Sequence, residues 1–417
     1  MTLSLADLVA AYGSPLYVYE LSDSVSSVRR LRAALPEGAT LYYSLKANPH
    51  PVLAGELGAA GCAAEISSTG ELDAALQAGF PAERCLYTGP GKVPGEIEAA
   101  VRAGVRRFSV ESARDYRAVA RSAAACGAFV QCLVRINAPR PHGSASVRMT
   151  GTASPFGVPS AHVIARPEDF APQEGCAVAG FHFFSMSNAR TAEDLRAALS
   201  ASLTEARTLA DATGLPLDVL DLGGGFAAPY AAPGTLPHYG GLREALEEEL
   251  DTHVPGWRDG SPEIAFESGR YVAATSGRLV CTATDVKRDG DRTFVVLDAG
   301  IHHLGGLSGL GRTLPMTAHP LSRAASDASY EGEPVTLVGP LCTPADVLAR
   351  AATVGPVAAG DLLVFPNVGA YGLTGGLLGF LSRPVAGEVV LRDGVPVHAS
   401  RIELRRTPYG PRVAGAA

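Results

Sequence analysis

The sequence predicts an α/β protein, a parallel (β/α)8 TIM barrel with a second, mostly β domain. Three observations carry that reading. Short β-branched or aromatic runs alternate with Ala/Leu/Glu-rich stretches of helical spacing, the alternation repeats eight times, and beyond Arg270 strand-like runs continue without long helices.

The barrel strands are expected at Thr40–Lys46, Ala63–Ser67, Cys85–Thr88, Arg107–Val110 and Phe129–Ile136, then at wider spacing at Val178–Phe184, Val219–Leu222 and Ile264–Glu267. Between them, Gly70–Ala78, Gly95–Ala103, Ala192–Ala212 and Arg243–His253 combine good helix formers with apolar residues three and four apart. The connecting segments differ widely in length, which a closed barrel tolerates better than a stacked solenoid. Later strands are expected at Leu279–Thr284, Thr293–Asp298, Val335–Val338, Leu362–Phe365, Gly387–Leu391 and Val397–Glu403. The early run Leu16–Glu20 could pair with them, which would give a barrel over 27–275 and a β domain from 1–26 and 276–417.

Charge and cysteine usage narrow the function classes. With 35 Lys+Arg against 42 Asp+Glu, the chain carries a formal charge of −7 and no basic surface is implied for nucleic acid. Cys62, Cys85, Cys126, Cys132, Cys176, Cys281 and Cys342 are odd in number and include no CxxC pair, which argues for a reducing compartment and against a disulfide framework. The N-terminal stretch lacks a basic start and carries Asp7, and no long uncharged apolar run occurs, so neither export nor a membrane span is expected and a cytoplasmic location is.

A barrel of this type places its reactive groups where the strands end, with phosphate held after strands seven and eight. Lys46, Ser67, Phe184, Gly223–Gly225 and Glu267 all fall at such ends. A lysine there, its ammonium disfavoured by apolar neighbours, suits Schiff-base chemistry. The triple glycine suits a phosphate, Glu267 a ring nitrogen and Arg270 a phosphate, and together these describe pyridoxal phosphate.

YYSLKANP (Tyr42–Pro49), EISSTGEL (Glu65–Leu72), LDLGGGF (Leu220–Phe226), ESGR (Glu267–Arg270), GPLCTPAD (Gly339–Asp346) and GAYG (Gly369–Gly372) resemble, in order, the motifs of the fold-type III pyridoxal-phosphate decarboxylases, the family of diaminopimelate and ornithine decarboxylases. The resemblance implies Lys46 as the Schiff-base residue and Glu267 on the pyridine nitrogen. It further implies Gly223, Gly224, Gly225, Gly269, Arg270 and Tyr371 about the phosphate, with Glu65, Phe184 and Ser187 also at the cofactor. Cys342 would protonate the carbon in the partner's site, so a homodimer with shared sites is implied, with Thr343 and Asp346 near the substrate.

Departures sharpen the reading. In GFHFFSMSN, Phe184 stands where the family has a stacking histidine, and His182 reads as a satisfied barrel histidine. Ser268 and Pro155 replace the family's usual proline and lysine. Thr343 follows Cys342 where an acid would pair with a distal ammonium, so a dibasic substrate is disfavoured. GPLCTPADVLA, DAGIHH (Asp298–His303) and FLSRP (Phe380–Pro384) are similar to decarboxylases of antibiotic and siderophore pathways, including the butirosin-type enzyme for glutamate on an acyl-carrier protein. The expectation is a decarboxylase of an α-amino acid lacking a distal ammonium, free or carrier-bound. The alternatives are a diaminopimelate or other basic amino-acid decarboxylase, and a non-catalytic regulatory paralogue. Asp346 also has a structural reading. No metal is assigned, because His302 and His303 on a strand would point to opposite faces.

Overall fold

The computed structural model describes residues 3–137, 147–148, 154–307, 321–322 and 333–408. Its strands in chain order begin with β1 (Leu16–Glu20), β2 (Thr40–Ser44), β3 (Ala63–Ile66), β4 (Cys85–Tyr87) and β5 (Arg107–Val110). Next come β6 (Val130–Asn137), β7 (Cys176–Phe183), β8 (Val219–Asp221) and β9 (Glu263–Ser268). From β2 to β9 each pairs in parallel with the next, and β9 returns to β2, so the eight close into a barrel.

The barrel closes because both faces of its strands are apolar, as a sheet covered by helices requires. Tyr42, Ala63, Leu86, Leu133, Ala179, Val219 and Ala265, from seven of the eight strands, form one buried cluster in which small residues make room for large ones. Where β5 and β9 begin, Arg107 binds both carboxylate oxygens of Glu263, at 3.0 and 2.9 Å, and the Tyr42 hydroxyl at 2.9 Å. That end is therefore tied across by charge, leaving the opposite end for chemistry.

The outer helices start and stop on local signals. Ser68, Ser112 and Thr191 side chains accept from the Glu71, Asp115 and Asp194 amides, capping helices Thr69–Gln77, Ala113–Ala125 and Ala192–Thr213. No helix among the described residues is long and apolar enough to cross a membrane.

The second domain adds β10 (Gly277–Asp289), β11 (Arg292–Leu297), β12 (Val335–Val338), β13 (Val347–Ala352), β14 (Leu362–Phe365), β15 (Gly387–Arg392) and β16 (Val395–Arg401). Its sheet runs β13-β12-β11-β10-β1-β15-β16, with β14 also on β10. The early strand β1 sits at the centre, antiparallel to β10 and parallel to β15. Its alternation explains that place: Leu16 and Val18 pack with Leu8, Val280 and Val389, while Tyr17 and Tyr19 join the main core.

Two expectations change here, and one strand is added that the sequence does not announce. β10 runs on to Asp289 because its charged outer half forms an exposed ribbon with β11, a segment whose polarity hides it in the sequence. β13, with the composition of a helix (VLARAA), is a strand because β12 offers it an edge. His302 and His303 lie in a turn rather than a strand, with ring centroids 3.8 Å apart, so the opposite-faces argument fails for them. Burial holds the two imidazoles well below their ordinary range, at about 4 and about 3, so they are neutral at physiological pH.

Candidate active site

The chain leaves β2 into a tight turn, Leu45–Ala47, and that turn carries Lys46 just past the strand where the sequence places it on the strand. Gly269 allows the turn to sit against β9: a methyl group there would meet the Ala47 Cβ at 2.7 Å. Lys46 Nζ lies 3.0 Å from both oxygens of Glu65, which also accepts from the Thr88 hydroxyl.

The lysine side chain is 42% exposed into the mouth, while Glu65 is fully buried. Burial of Lys46 works against its charge, but Glu65, Glu267 and Tyr371 outweigh it and the ammonium is favoured. This corrects the expectation of a disfavoured ammonium: the apolar neighbours are present, but the carboxylates prevail.

After β8 the triple glycine turns under the mouth. Gly223 and Gly225 have φ of +70° and +106°, which only glycine adopts cheaply. A methyl group on Gly223 would meet the Phe183 carbonyl oxygen at 2.2 Å, and one on Gly224 the Glu267 carbonyl oxygen at 2.2 Å. The turn is locked by the Gly223 amide donating to Asp221 Oδ1 at 2.8 Å.

Glu267, on β9, is buried with His182 Nε2 3.3 Å from its Oε1. His182 Nδ1 sits 2.7 Å from the Ser109 hydroxyl, while its Nε2 faces Glu267 without a hydrogen bond. Burial alone would raise Glu267, but His182, Lys46 and Arg135 bring it to about 2. Burial would lower His182, and Glu267 with Asp221 raises it instead. Burial and the Glu267 charge push Asp221 up to about 7. His182, Asp221 and Glu267 bring ligand atoms within 4.8 Å of one another, a spacing a cation could use. Asp221 Oδ1 accepts from the Gly223 amide, while Glu267 Oε1 faces His182 as an ion pair and accepts no hydrogen bond, so the chemistry of the cleft favours an organic cation at Glu267.

Phe184 follows β7 and faces the same cleft, with Lys46 Nζ 5.9 Å from its ring centroid. The Arg135 guanidinium, bonded to Glu111 at 2.9 Å, stands 5.8 Å from that ring and 5.0 Å from Phe156. The uncharged ring thus has a buried cation beside it. Arg270 and Tyr371 pack together, guanidinium carbon to ring centroid 4.7 Å. Tyr371 comes from the second domain: its amide donates to the Ala47 carbonyl at 2.7 Å, and Tyr230 donates to its own carbonyl at 2.8 Å.

One cleft is lined by Lys46, Phe184, Ser187, Gly225, Glu267, Gly269, Arg270 and Tyr371, with Ser44, Phe226 and Ser268. Of the expected cofactor residues, Glu65, Gly223 and Gly224 lie directly behind this lining rather than in it. Ser67 is turned away toward Thr88, 3.1 Å from its hydroxyl. Cys342 is exposed and Thr343 half-buried on a separate loop of the second domain, and neither lines the cleft. Asp346 does not face a substrate: its carboxylate accepts from the Ile301 and Leu341 amides at 2.8 and 2.7 Å, so the structural reading replaces the substrate one.

Asp221, Arg135, Thr88 and Tyr230 had no assigned role. Asp221 sits inside LDLGGGF, whose glycines carry the motif, while Arg135 and Thr88 lie within strand runs and give no separate signal.

The cleft fits pyridoxal phosphate. The primary amine projects into it, Glu267 Oε1, ion-paired with His182, is a buried oxygen that accepts no hydrogen bond, and Arg270 stands beside the glycine turn. The family model for the pyridoxal-binding domain of pyridoxal-dependent decarboxylases matches residues 21–274.

The chain belongs to that family.

It is a pyridoxal-phosphate-dependent amino-acid decarboxylase, and its relatives carry the same chemistry on different substrates. This decarboxylase is 28% identical over 405 residues to an L-glutamyl-[BtrI acyl-carrier protein] decarboxylase of Niallia circulans, covering 94% of this chain and 93% of the relative. It is 28% identical over 395 residues to a diaminopimelate decarboxylase of Zymomonas mobilis, covering 93% and 90%. In fold it resembles the Helicobacter pylori diaminopimelate decarboxylase complexed with L-lysine, with a TM-score of 0.81, 24% identity and 95% of each chain covered.

Proposed function

We propose that this decarboxylase removes the α-carboxyl group of an amino acid without a distal ammonium, glutamate foremost, presented as an acyl-carrier-protein thioester or similar conjugate. It would work as a cytosolic homodimer. The carrying observation is the loop Gly339–Asp346: its one acid, Asp346, is taken up by two backbone amides, and the polar side chains beside it are the exposed Cys342 and the half-buried Thr343. A substrate cation would find no carboxylate there and would lose its hydration without compensation. The similarity to the glutamyl-carrier relative supports the same reading.

The bound cofactor supplies the electron sink for the departing carboxylate's electron pair. Lys46 would hold the cofactor through its Nζ, and Glu65 keeps that amine placed. Glu267, kept ionised by His182, would hold a proton on the ring nitrogen. Phe184 would cover the ring. Arg270, Tyr371 and the glycine turn would hold the phosphate. Cys342, reaching across a dimer, would return a proton to the substrate carbon.

The deciding experiment offers the holoenzyme free glutamate, ornithine and diaminopimelate, and glutamate loaded on an acyl-carrier protein, with mass detection of CO2 loss. Turnover of the glutamyl thioester supports the proposal. Efficient release of CO2 from free diaminopimelate or ornithine favours the basic amino-acid reading, and turnover of none by a cofactor-loaded protein favours the regulatory paralogue.

A further inference from the structure

Away from the cofactor cleft, the turn Leu378–Val385 and the segment Arg401–Arg406 enclose a groove of about 470 Å³. Among the described residues, Arg383, Arg401, Arg405 and Arg406 line it against one carboxylate, Glu403, which pairs with Arg405. In a chain of formal charge −7 this is a local reversal of sign. Its rim is apolar as well: Phe380 and Leu381 on one side and Leu404 on the other are exposed.

The groove is tied to the substrate loop. Arg383 donates to the Pro340 carbonyl at 3.0 Å, two residues before Cys342. The turn that aims Arg383 holds two successive non-glycine residues in the left-handed region, Leu381 (φ +54°) and Ser382 (φ +50°), a costly geometry. The groove and the Cys342 loop are thus neighbours in the fold.

We propose that this arginine groove docks the acidic carrier protein that presents the substrate, receiving the phosphodiester that joins the carrier to its thioester arm. The inference rests on the carrier reading above and adds the surface that reading requires. Guanidinium groups pair bidentately with phosphate and carboxylate, and the apolar rim suits a small helical protein with an acidic face. A second copy of this chain, itself acidic overall, is the competing occupant.

The test compares the native holoenzyme with Arg401→Glu/Arg406→Glu, two exposed residues outside the cofactor cleft. Both are assayed on glutamyl-carrier-protein thioester and on glutamyl-pantetheine thioester, which has neither carrier nor phosphate. The expected result is a KM for the carrier substrate raised about tenfold or more, with kcat, cofactor absorbance and pantetheine turnover unchanged, and with the native enzyme alone losing affinity as salt rises. Equal KM values for the carrier substrate in both proteins overturn the groove and leave the carrier reading standing. A native enzyme that turns over neither thioester overturns both. A change of sedimentation mass in the variant assigns the groove to copy–copy contact and overturns the docking.

Discussion

The barrel mouth and the Cys342 loop differ in how their charges are compensated. At the mouth three ionised side chains have ionic partners, Lys46 with Glu65, Glu267 with His182 and Arg135 with Glu111, and Arg270 packs on the Tyr371 ring. On the loop the acid is turned inward, and the polar side chains beside it are an exposed thiol and a half-buried hydroxyl. The mouth is set up within one chain to hold a charged cofactor, whereas the loop is shaped by what it lacks. On the proposed reading, the chemistry rests on groups that are present, and substrate choice would rest on a carboxylate that is missing.

The largest effect should come from the mouth. Lys46→Ala removes the amine facing the cleft while leaving Glu65 bonded to Thr88, so the barrel should fold and the cofactor's visible absorbance should vanish with turnover, by about 10⁴-fold. Retained turnover in that variant would erase the distinction between the two regions. Next, Cys342→Ala should slow product formation by about 10²-fold, the scale of a lost general acid, with cofactor absorbance unchanged. Measuring product partition in deuterated water checks this: an unchanged partition removes the thiol from the reaction.

A pH experiment probes the mouth more finely. His182 keeps the Glu267 carboxyl near 2, well below its ordinary value, so the stability of that ionised pair is present above about pH 4.5 and is lost as pH falls through the folded value. Replacing the cation by His182→Gln should let Glu267 climb. Titrating cofactor absorbance downward from pH 7 should then show the acidic limb shifted upward relative to the native enzyme. An unmoved limb would mean that Lys46 and Arg135 alone hold the carboxylate ionised.

Much of the mouth was legible in the sequence because strand ends are announced by apolar runs, and a barrel brings such ends together whatever the loop lengths. Lys46, the glycine turn and Glu267 needed only that rule. The charge state of Lys46 was not legible, since it depends on Glu65 lying across from it, a register fact of neighbouring strands. Asp346 shows the same limit: a carboxylate four residues after the cysteine looks available until the Ile301 and Leu341 amides are found bonded to it. Strand β13 was missed because edge pairing, not composition, decides it.

The smallest effect is expected on the loop. Thr343→Asp restores an acid at a half-buried position, where solvent still screens it. A partly screened ion pair contributes about 1 kcal/mol, so kcat/KM for free ornithine should rise by only about fivefold, with little change for the glutamyl thioester's cofactor-side steps. A gain of that size, with no gain for the glutamyl thioester, whose distal carboxyl is tied up in the thioester and uncharged, would sharpen the view that a missing carboxylate sets the preference. No gain for any dibasic amino acid would break it, because the loop would then be irrelevant to the distal end of the substrate and selectivity would have to reside at the barrel mouth.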